Sequence, residues 1–339
     1  MDPVTQLRLT RELIDIDSTT GREGEAGEFV AALLGRLDYK VVRQPVGDRR
    51  FNVLATLRTP EVVFSTHLDC VPPHFPSREE DGRLHGRGAC DAKGAALAQM
   101  AAAERLRVIG EDRIGLLFVV GEERGSEGAK LANTIAPGSK YLINGEPTDN
   151  RLGTATRGVY RARLRAAGRA AHSSQPEFGS SAIETLVDAL VAMRRVRWPA
   201  DDVLGETYYT VGMISGGVAP NVIPPAAEAE VMFRTVGDYR VVRALLDEAV
   251  RDSARIEHVL VVPPVSLTTI PGLPVAAFNF TTDIPFLDRW GAPLLLGPGS
   301  VTLAHTADEY VPIAELEQAV DRYALLATCL LAESSNRTA

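Results

Sequence analysis

One short stretch of this chain, Ile114–Val120 (IGLLFVV), is a continuous apolar run of strand length, and Glu61–Ser65 and Lys140–Asn144 are two more short strand candidates. A run without alternation suits a strand covered on both faces, and such strands belong to parallel sheets layered between helices. Segments of helical spacing surround them. Val4, Leu7, Leu13 and Ile14 mark one helix, and Phe29, Val30, Leu33, Leu34 and Leu37 a second. Further helices are predicted over Lys93–Val108 and Ser126–Ile135, a strand at Pro293–Leu296, and a closing helix over Ile313–Ala332 followed by a frayed polar tail, Glu333–Ala339. Phe51–Leu57 reads as a strand joined to Glu61–Ser65 through Arg58-Thr59-Pro60 as a hairpin connection. The fold class expected is α/β, a mostly parallel mixed sheet covered by helices.

The texture changes between Gly158 and Pro264. Val159–Ala167 alternates as VYRARLRAA. After it come a helix at Ser180–Arg195, strands at Tyr208–Ile214 and Ala226–Thr235, a helix at Asp238–Ser253 and a strand at Glu257–Val262. That β-α-β-β-α-β order is a small α+β layer of ferredoxin-like type. It is expected as an insertion, 158–264, in a larger domain formed by 1–157 and 265–339. Arg161, Arg163 and Arg165 share one face of its first strand, either as a solvated sheet face or as a dock for an acidic carrier protein or nucleic acid.

With 36 basic against 44 acidic residues the net charge is −8, which argues against nucleic acid or an anionic membrane as partner. Three cysteines without paired spacing favour a reducing compartment. Charges spread through Met1–Ile16 are not those of a secretory leader, so the location expected is cytoplasmic.

Chemistry gathers just after the strands. His67 and Asp69 follow one, Glu122 and Glu123 the next, and Glu146 the third. Asp91 ends a glycine loop before the Lys93 helix, and His305 lies beyond the last strand. In open α/β sheets ligands bind outside the carboxyl ends of strands. Taken singly, Asp91 is an ordinary helix cap, Glu122-Glu123-Arg124 a solvated loop and His67 a half-buried histidine. One metal site accounts for all of them together. Imidazoles and carboxylates without thiolates suit zinc or cobalt, or manganese in a more open geometry. His67, Asp91, Glu123, Glu146 and His305 suffice for two cations if Asp91 bridges. Glu122 is then free to face the water, and Asp69, two residues from His67, is placed to take the second N–H of its imidazole.

The segments THLDCVPP (Thr66–Pro73), GRGACDAKG (Gly86–Gly94), GEERGSEGA (Gly121–Ala129), NGEPT (Asn144–Thr148), AHSSQPEFG (Ala171–Gly179) and GPGSVTLAHTADEY (Gly297–Tyr310) resemble the acetylornithine deacetylase, succinyl-diaminopimelate desuccinylase and carboxypeptidase G family of dinuclear metallohydrolases. The likeness spans nearly the whole chain and, with AFNFTTDIPFL, is nearest the acetylornithine deacetylase branch. It implies a dinuclear zinc exopeptidase-like fold with two Zn2+ or Co2+ ions. His67 and Glu146 would hold one, Glu123 and His305 the other, with Asp91 bridging, Glu122 as general base and Asp69 behind His67. It implies that the inserted domain is a lid that pairs two subunits, that lid His172 meets the reaction intermediate, and that Asn221 and Arg234 contact the substrate carboxylate. The substrate implied is a small N-acyl amino acid. A desuccinylase, a dipeptidase or carboxypeptidase, and an amino-group-carrier hydrolase are the alternatives within the family. A catalytically inactive binding protein is the alternative outside enzymes.

Overall fold

The computed structural model describes residues 1–336 and divides into two compact units. One comprises Met1–Thr154, Leu267–Ala276 and the chain from Thr282 onward; the other comprises Ala155–Ser266 and Ala277–Thr281.

The first unit is built on a six-stranded sheet in the order Lys40–Gly47, Arg50–Thr56, Ile114–Val119, Val62–His67, Tyr141–Asn144, Ala292–Leu295. The last four run parallel; the first two join antiparallel. Every residue of Val62–His67, Ile114–Val119 and Tyr141–Asn144 is buried. Alternate side chains serve opposite layers. Phe64, Leu116, Phe118 and Ile143 enter a core with Leu13, Val30, Leu34, Leu97, Tyr323 and Leu326 from the helices Pro3–Asp15, Gly24–Arg36, Gly94–Val108 and Ile313–Asn336. Val63, Leu117, Val119 and Leu142 face the other way, onto Ala129, Ala132, Leu287 and Trp290. The alanine-rich helix Gly94–Val108 is buried along most of its length against Ile313–Asn336, since small side chains let the two approach closely.

Two expectations are corrected here. Arg50–Thr56 does not form a hairpin with Val62–His67, because Ile114–Val119 lies between them. Its hairpin partner is Lys40–Gly47, across a turn in which Arg49 takes φ 56°. The apolar Ile114–Val119 needs cover on both faces and therefore takes a central position, whereas the half-exposed Lys40–Gly47 suits an edge. The closing helix also runs on to Asn336 with Ser334 buried, so the tail is ordered that far; residues 337–339 lie outside the described residues.

The second unit is a four-stranded antiparallel sheet in the order Tyr208–Gly216, Ala226–Thr235, Gly158–Ala167, Arg255–Val262. Helices Ala182–Met193 and Tyr239–Val250 share one core with Tyr160, Ala162, Leu164 and Ala166. The alternate residues on that strand, Arg161, Arg163 and Arg165, face Glu230, Glu228 and Glu257 of the neighbouring strands at 2.9–3.4 Å. The arginine stripe is thus a ladder of cross-strand ion pairs on a sheet face.

Gly297, just after Ala292–Leu295, packs on the backbone that carries Glu146: a Cβ there would lie 2.4 Å from the Glu146 carbonyl oxygen. Gly297→Ala is expected to lower stability by about 1–3 kcal/mol through overpacking. Thermal unfolding checks this; a variant as stable as the parent contradicts it.

Candidate metal centre

Parallel strands end on the same side, and the first unit uses that edge to collect its titratable groups. His67 is the last residue of Val62–His67. Glu122 and Glu123 form the turn Glu122–Arg124 beyond Ile114–Val119, and Glu146 follows Tyr141–Asn144. Asp91 lies in the kinked segment Ala89–Lys93 that leads into Gly94–Val108. His305, at φ 65°, belongs to the turns before Tyr310–Pro312.

These residues make two groups with Asp91 in common: His67, Asp91 and Glu146, and Asp91, Glu123 and His305. In each group one ligand atom per residue lies within 4.8 Å of the others. The Asp91 carboxylate is split between them. Its Oδ1 is 2.9 Å from His67 Nε2, and its Oδ2 is 3.3 Å from His305 Nε2. His67 Nε2 is 3.8 Å from Glu146 Oε2, and His305 Nε2 is 3.0 Å from Glu123 Oε2. Glu146 Oε1 is buried without a hydrogen-bond partner. An oxygen-rich set of this kind, with two imidazoles and an unsatisfied carboxylate oxygen, fits divalent cations.

The electrostatics reflect crowded acids. Burial pushes Glu146 up to about 7. Burial and then the neighbouring Asp283 hold Glu122 well above the usual carboxylate range. Asp91 is half-buried, and although desolvation works to raise it, the hydrogen bonds of His305 and His67 outweigh that and keep it below the usual range. Hydrogen bonds to Asp91 and Glu123 carry His305 up to about 10.

Asp69 differs in detail from the expectation. The His67 Nδ1 partner at 2.9 Å is the Asp69 backbone carbonyl, while the carboxylate stands at 3.5 Å. That carboxylate accepts from the N–H groups of Gly121, Glu122 and Glu123 at 3.0, 3.1 and 3.2 Å, and from Thr20 Oγ1 at 2.9 Å. A buried anion at three converging N–H groups holds the turn that carries Glu122 and Glu123. Gly121 permits it by adopting φ 79°, with no room for a Cβ beside Glu127.

Three residues escaped the sequence reading. Asp283 is buried with both oxygens unpartnered, and burial takes it up to about 7. Arg87 and Glu309 form a buried ion pair at 2.7 Å. Arg87 stands in the same glycine loop as Asp91 and Glu309 four residues after His305, so proximity to the ligands was the available signal.

The remaining candidates lie in the second unit. His172 is exposed, and its Nδ1 stands 2.8 Å from Ser174 Oγ and 3.2 Å from the Ser174 backbone nitrogen. The Asn221 carbonyl accepts from Ser173 N, so His172 and Asn221 share one loop pair. That pair adjoins the Ala226 end of Ala226–Thr235, where Pro224 and Pro225 accept from Ala182 and Gly168. Arg234 stands at the other end of the strand, opposite Tyr208 and half-buried, with no side-chain partner among the described residues. At roughly 3.3 Å per residue the two ends are about 25 Å apart. The structure therefore places Asn221 and Arg234, both expected at the substrate carboxylate, towards opposite ends of one strand, with His172 on the Asn221 side.

A pH dependence follows for the metal-free protein. Glu146, Asp283 and His305 keep their protons to higher pH than they do in an unfolded chain, so between about pH 5 and 10 the native state binds more protons and stability falls as pH rises. Thermal unfolding should show a midpoint that declines across this range, with saturating Zn2+ or Co2+ flattening the decline because a cation replaces the protons. A midpoint that climbs with pH contradicts this.

The pattern that defines peptidase family M20/M25/M40 matches residues 63–328. A probable carboxypeptidase of Aspergillus clavatus is 35% identical over 96% of this chain and 82% of its own length. A peptidase M20 domain-containing protein of Schizosaccharomyces pombe is also 35% identical, over 94% of this chain and 82% of its own. In fold, the crystal structure of aminopeptidase PepT from Bacillus cereus superposes with a TM-score of 0.83 at 19% identity, covering 98% of this chain and 99% of that one. This chain belongs to the M20/M25/M40 peptidase family, metal-dependent enzymes that hydrolyse amide bonds.

Proposed function

We propose that this enzyme releases an α-amino acid from its N-acyl derivative at a centre of two divalent cations. The observation that carries the reading is the Asp91 carboxylate, with one oxygen turned to each imidazole group. His67 and Glu146 would hold one cation and Glu123 and His305 the other, with Asp91 shared. Acetylornithine deacetylases and carboxypeptidases cleave the same kind of bond, an amide whose leaving amine bears a free α-carboxylate. The sequence motifs draw the acyl group towards acetyl, with N-acetylornithine as the specific candidate, and the relative named a probable carboxypeptidase draws it towards peptidyl.

Bound divalent cations supply a water of lowered pKa and polarise the scissile carbonyl. Glu122, raised in basicity by burial and Asp283, accepts the water's proton and hands it to the departing amine. Asp69 fixes the turn on which Glu122 stands. The exposed imidazole of His172 is suited to the developing oxyanion, and the unpaired guanidinium of Arg234 to the substrate carboxylate.

We read the working form as a homodimer. His172 and Arg234 lie too far apart within one protomer to serve the same substrate, and an exchanged lid resolves this. The edge strand Tyr208–Gly216 leaves Val211, Met213 and Ile214 exposed, and the helix Ala182–Met193 adds Val187 and Val191. An apolar open edge is a surface for strand pairing between copies. Nothing favours an acidic carrier as partner, since the arginine ladder is neutralised by glutamates. Three free cysteines support a reducing compartment, and no described helix is long and apolar enough to cross a membrane.

Three outcomes are expected. Protein loaded with Zn2+ or Co2+ should release amino acid from at least one of a panel of N-acetyl, N-formyl and N-succinyl amino acids and dipeptides, and chelation should abolish it. Full metal uptake with no hydrolysis across the panel would sink the reading. Glu122→Gln should keep its metal, measured by elemental analysis, and lose about 10²–10⁴-fold in kcat; unimpaired turnover removes Glu122 as the base. Met213→Lys with Ile214→Lys should yield a monomer by sedimentation, and a dimer that persists would refute the edge assignment.

A further inference from the structure

Away from the ligands themselves, three segments meet at one buried ion pair. Arg87 and Glu309 are each at most 2% exposed, and their Nη1 and Oε2 atoms are 2.7 Å apart. The other Glu309 oxygen, Oε1, accepts from the backbone N–H groups of Cys90 and Asp91, both at 3.3 Å. Arg87 also donates from Nε to the Pro73 carbonyl at 3.1 Å and stacks over the Phe75 ring at 4.9 Å, in the stretch that follows His67 and Asp69. Antiparallel pairing of Arg83–His85 with Tyr310–Pro312 brings the two partners together, and the Gly86 N–H donates to the Glu309 carbonyl at 3.1 Å.

The two cation positions depend on this pair unequally. In the first, His67 and Glu146 stand at or just beyond the ends of fully buried strands, held by sheet pairing that does not involve Arg87 or Glu309. In the second, Glu123 is held by Asp69, but Asp91 hangs from the Glu309 carboxylate, and His305 lies in the turns four residues before Glu309, whose carbonyl accepts from Gly86. His305 has a side chain 53% exposed and therefore little packing of its own. One ligand of three leans on the pair at the first position, and two of three at the second.

We infer that Arg87 and Glu309 are positioning residues that set the affinity of the second cation position, Asp91–Glu123–His305, while leaving that of His67–Asp91–Glu146 largely intact. The inference rests on the two-cation reading above. A buried pair with one partner removed leaves an uncompensated charge and can unfold a protein, so the variants keep volume and polarity or remove both charges. Glu309→Gln retains an acceptor for the Cys90 and Asp91 N–H groups, Arg87→Lys retains the charge but not the fork, and Arg87→Met with Glu309→Met removes both ions.

The experiment is calorimetric titration of metal-free protein with Zn2+, read alongside the visible absorption of Co2+ as it fills each position. Wild type should take up two equivalents. In each variant that folds, as judged by thermal unfolding, one equivalent should keep its Kd within about threefold, and the other should lose about tenfold or more. Excess cation should then restore kcat. Two equivalents that weaken in step, or do not weaken, overturn this inference alone. A wild type that binds one equivalent overturns the two-cation reading and this inference with it.

Discussion

Carboxylates packed together out of water repel one another and lose hydration, and the carboxyl edge of the parallel sheet is arranged around that cost. Asp91, Glu122, Glu123, Glu146 and Asp283 share electrostatic influence with only two imidazoles to balance them. Without cations the protein copes by retaining protons: on His305, on Glu146 and on Asp283. The same crowding keeps Glu122 basic. An arrangement so unfavourable in isolation makes sense as a receptor for positive charge, and the sheet, the glycine loop and the turn at Asp69 all serve to hold it in place.

The parts of the fold that rest on burial were legible beforehand. The continuous apolar run Ile114–Val120 marked a central strand because no other position tolerates it, and the alternation in VYRARLRAA marked a sheet with one wet face. The hairpin was misread because adjacency along the chain competes with demand for cover. Ile114–Val119 needs neighbours on both sides and so separates two strands that a three-residue link seemed to pair. Lys40–Gly47, a half-exposed edge strand interrupted by Arg43, Gln44 and Pro45, carries too weak a pattern to declare itself.

At the site, residue types and their places after strands were enough to nominate the imidazoles and carboxylates that the fold brings together. What pattern could not supply was the wiring between them. Whether the Asp69 carboxylate reaches an imidazole or three backbone N–H groups depends on an ångström of loop path. Arg87 and Glu309, 222 residues apart in sequence, look like surface charges until a small sheet joins their loops. Asp283 is an ordinary loop residue until it is seen buried beside the other carboxylates. The arginine stripe illustrates the reverse case, where a strong sequence signal dissolves once the opposing glutamates are in register.

The turn at Asp69 complicates how this enzyme can be dissected. One carboxylate is tied at once to the backbone N–H groups of Gly121, Glu122 and Glu123 and stands 3.5 Å from the imidazole of His67. Truncating it would disturb a metal ligand, the base and the path between them in a single stroke. A severe phenotype at that position therefore says nothing about chemistry performed by its own oxygens, and lesions at 67, 122 or 123 will fail to add to it in any double-mutant comparison.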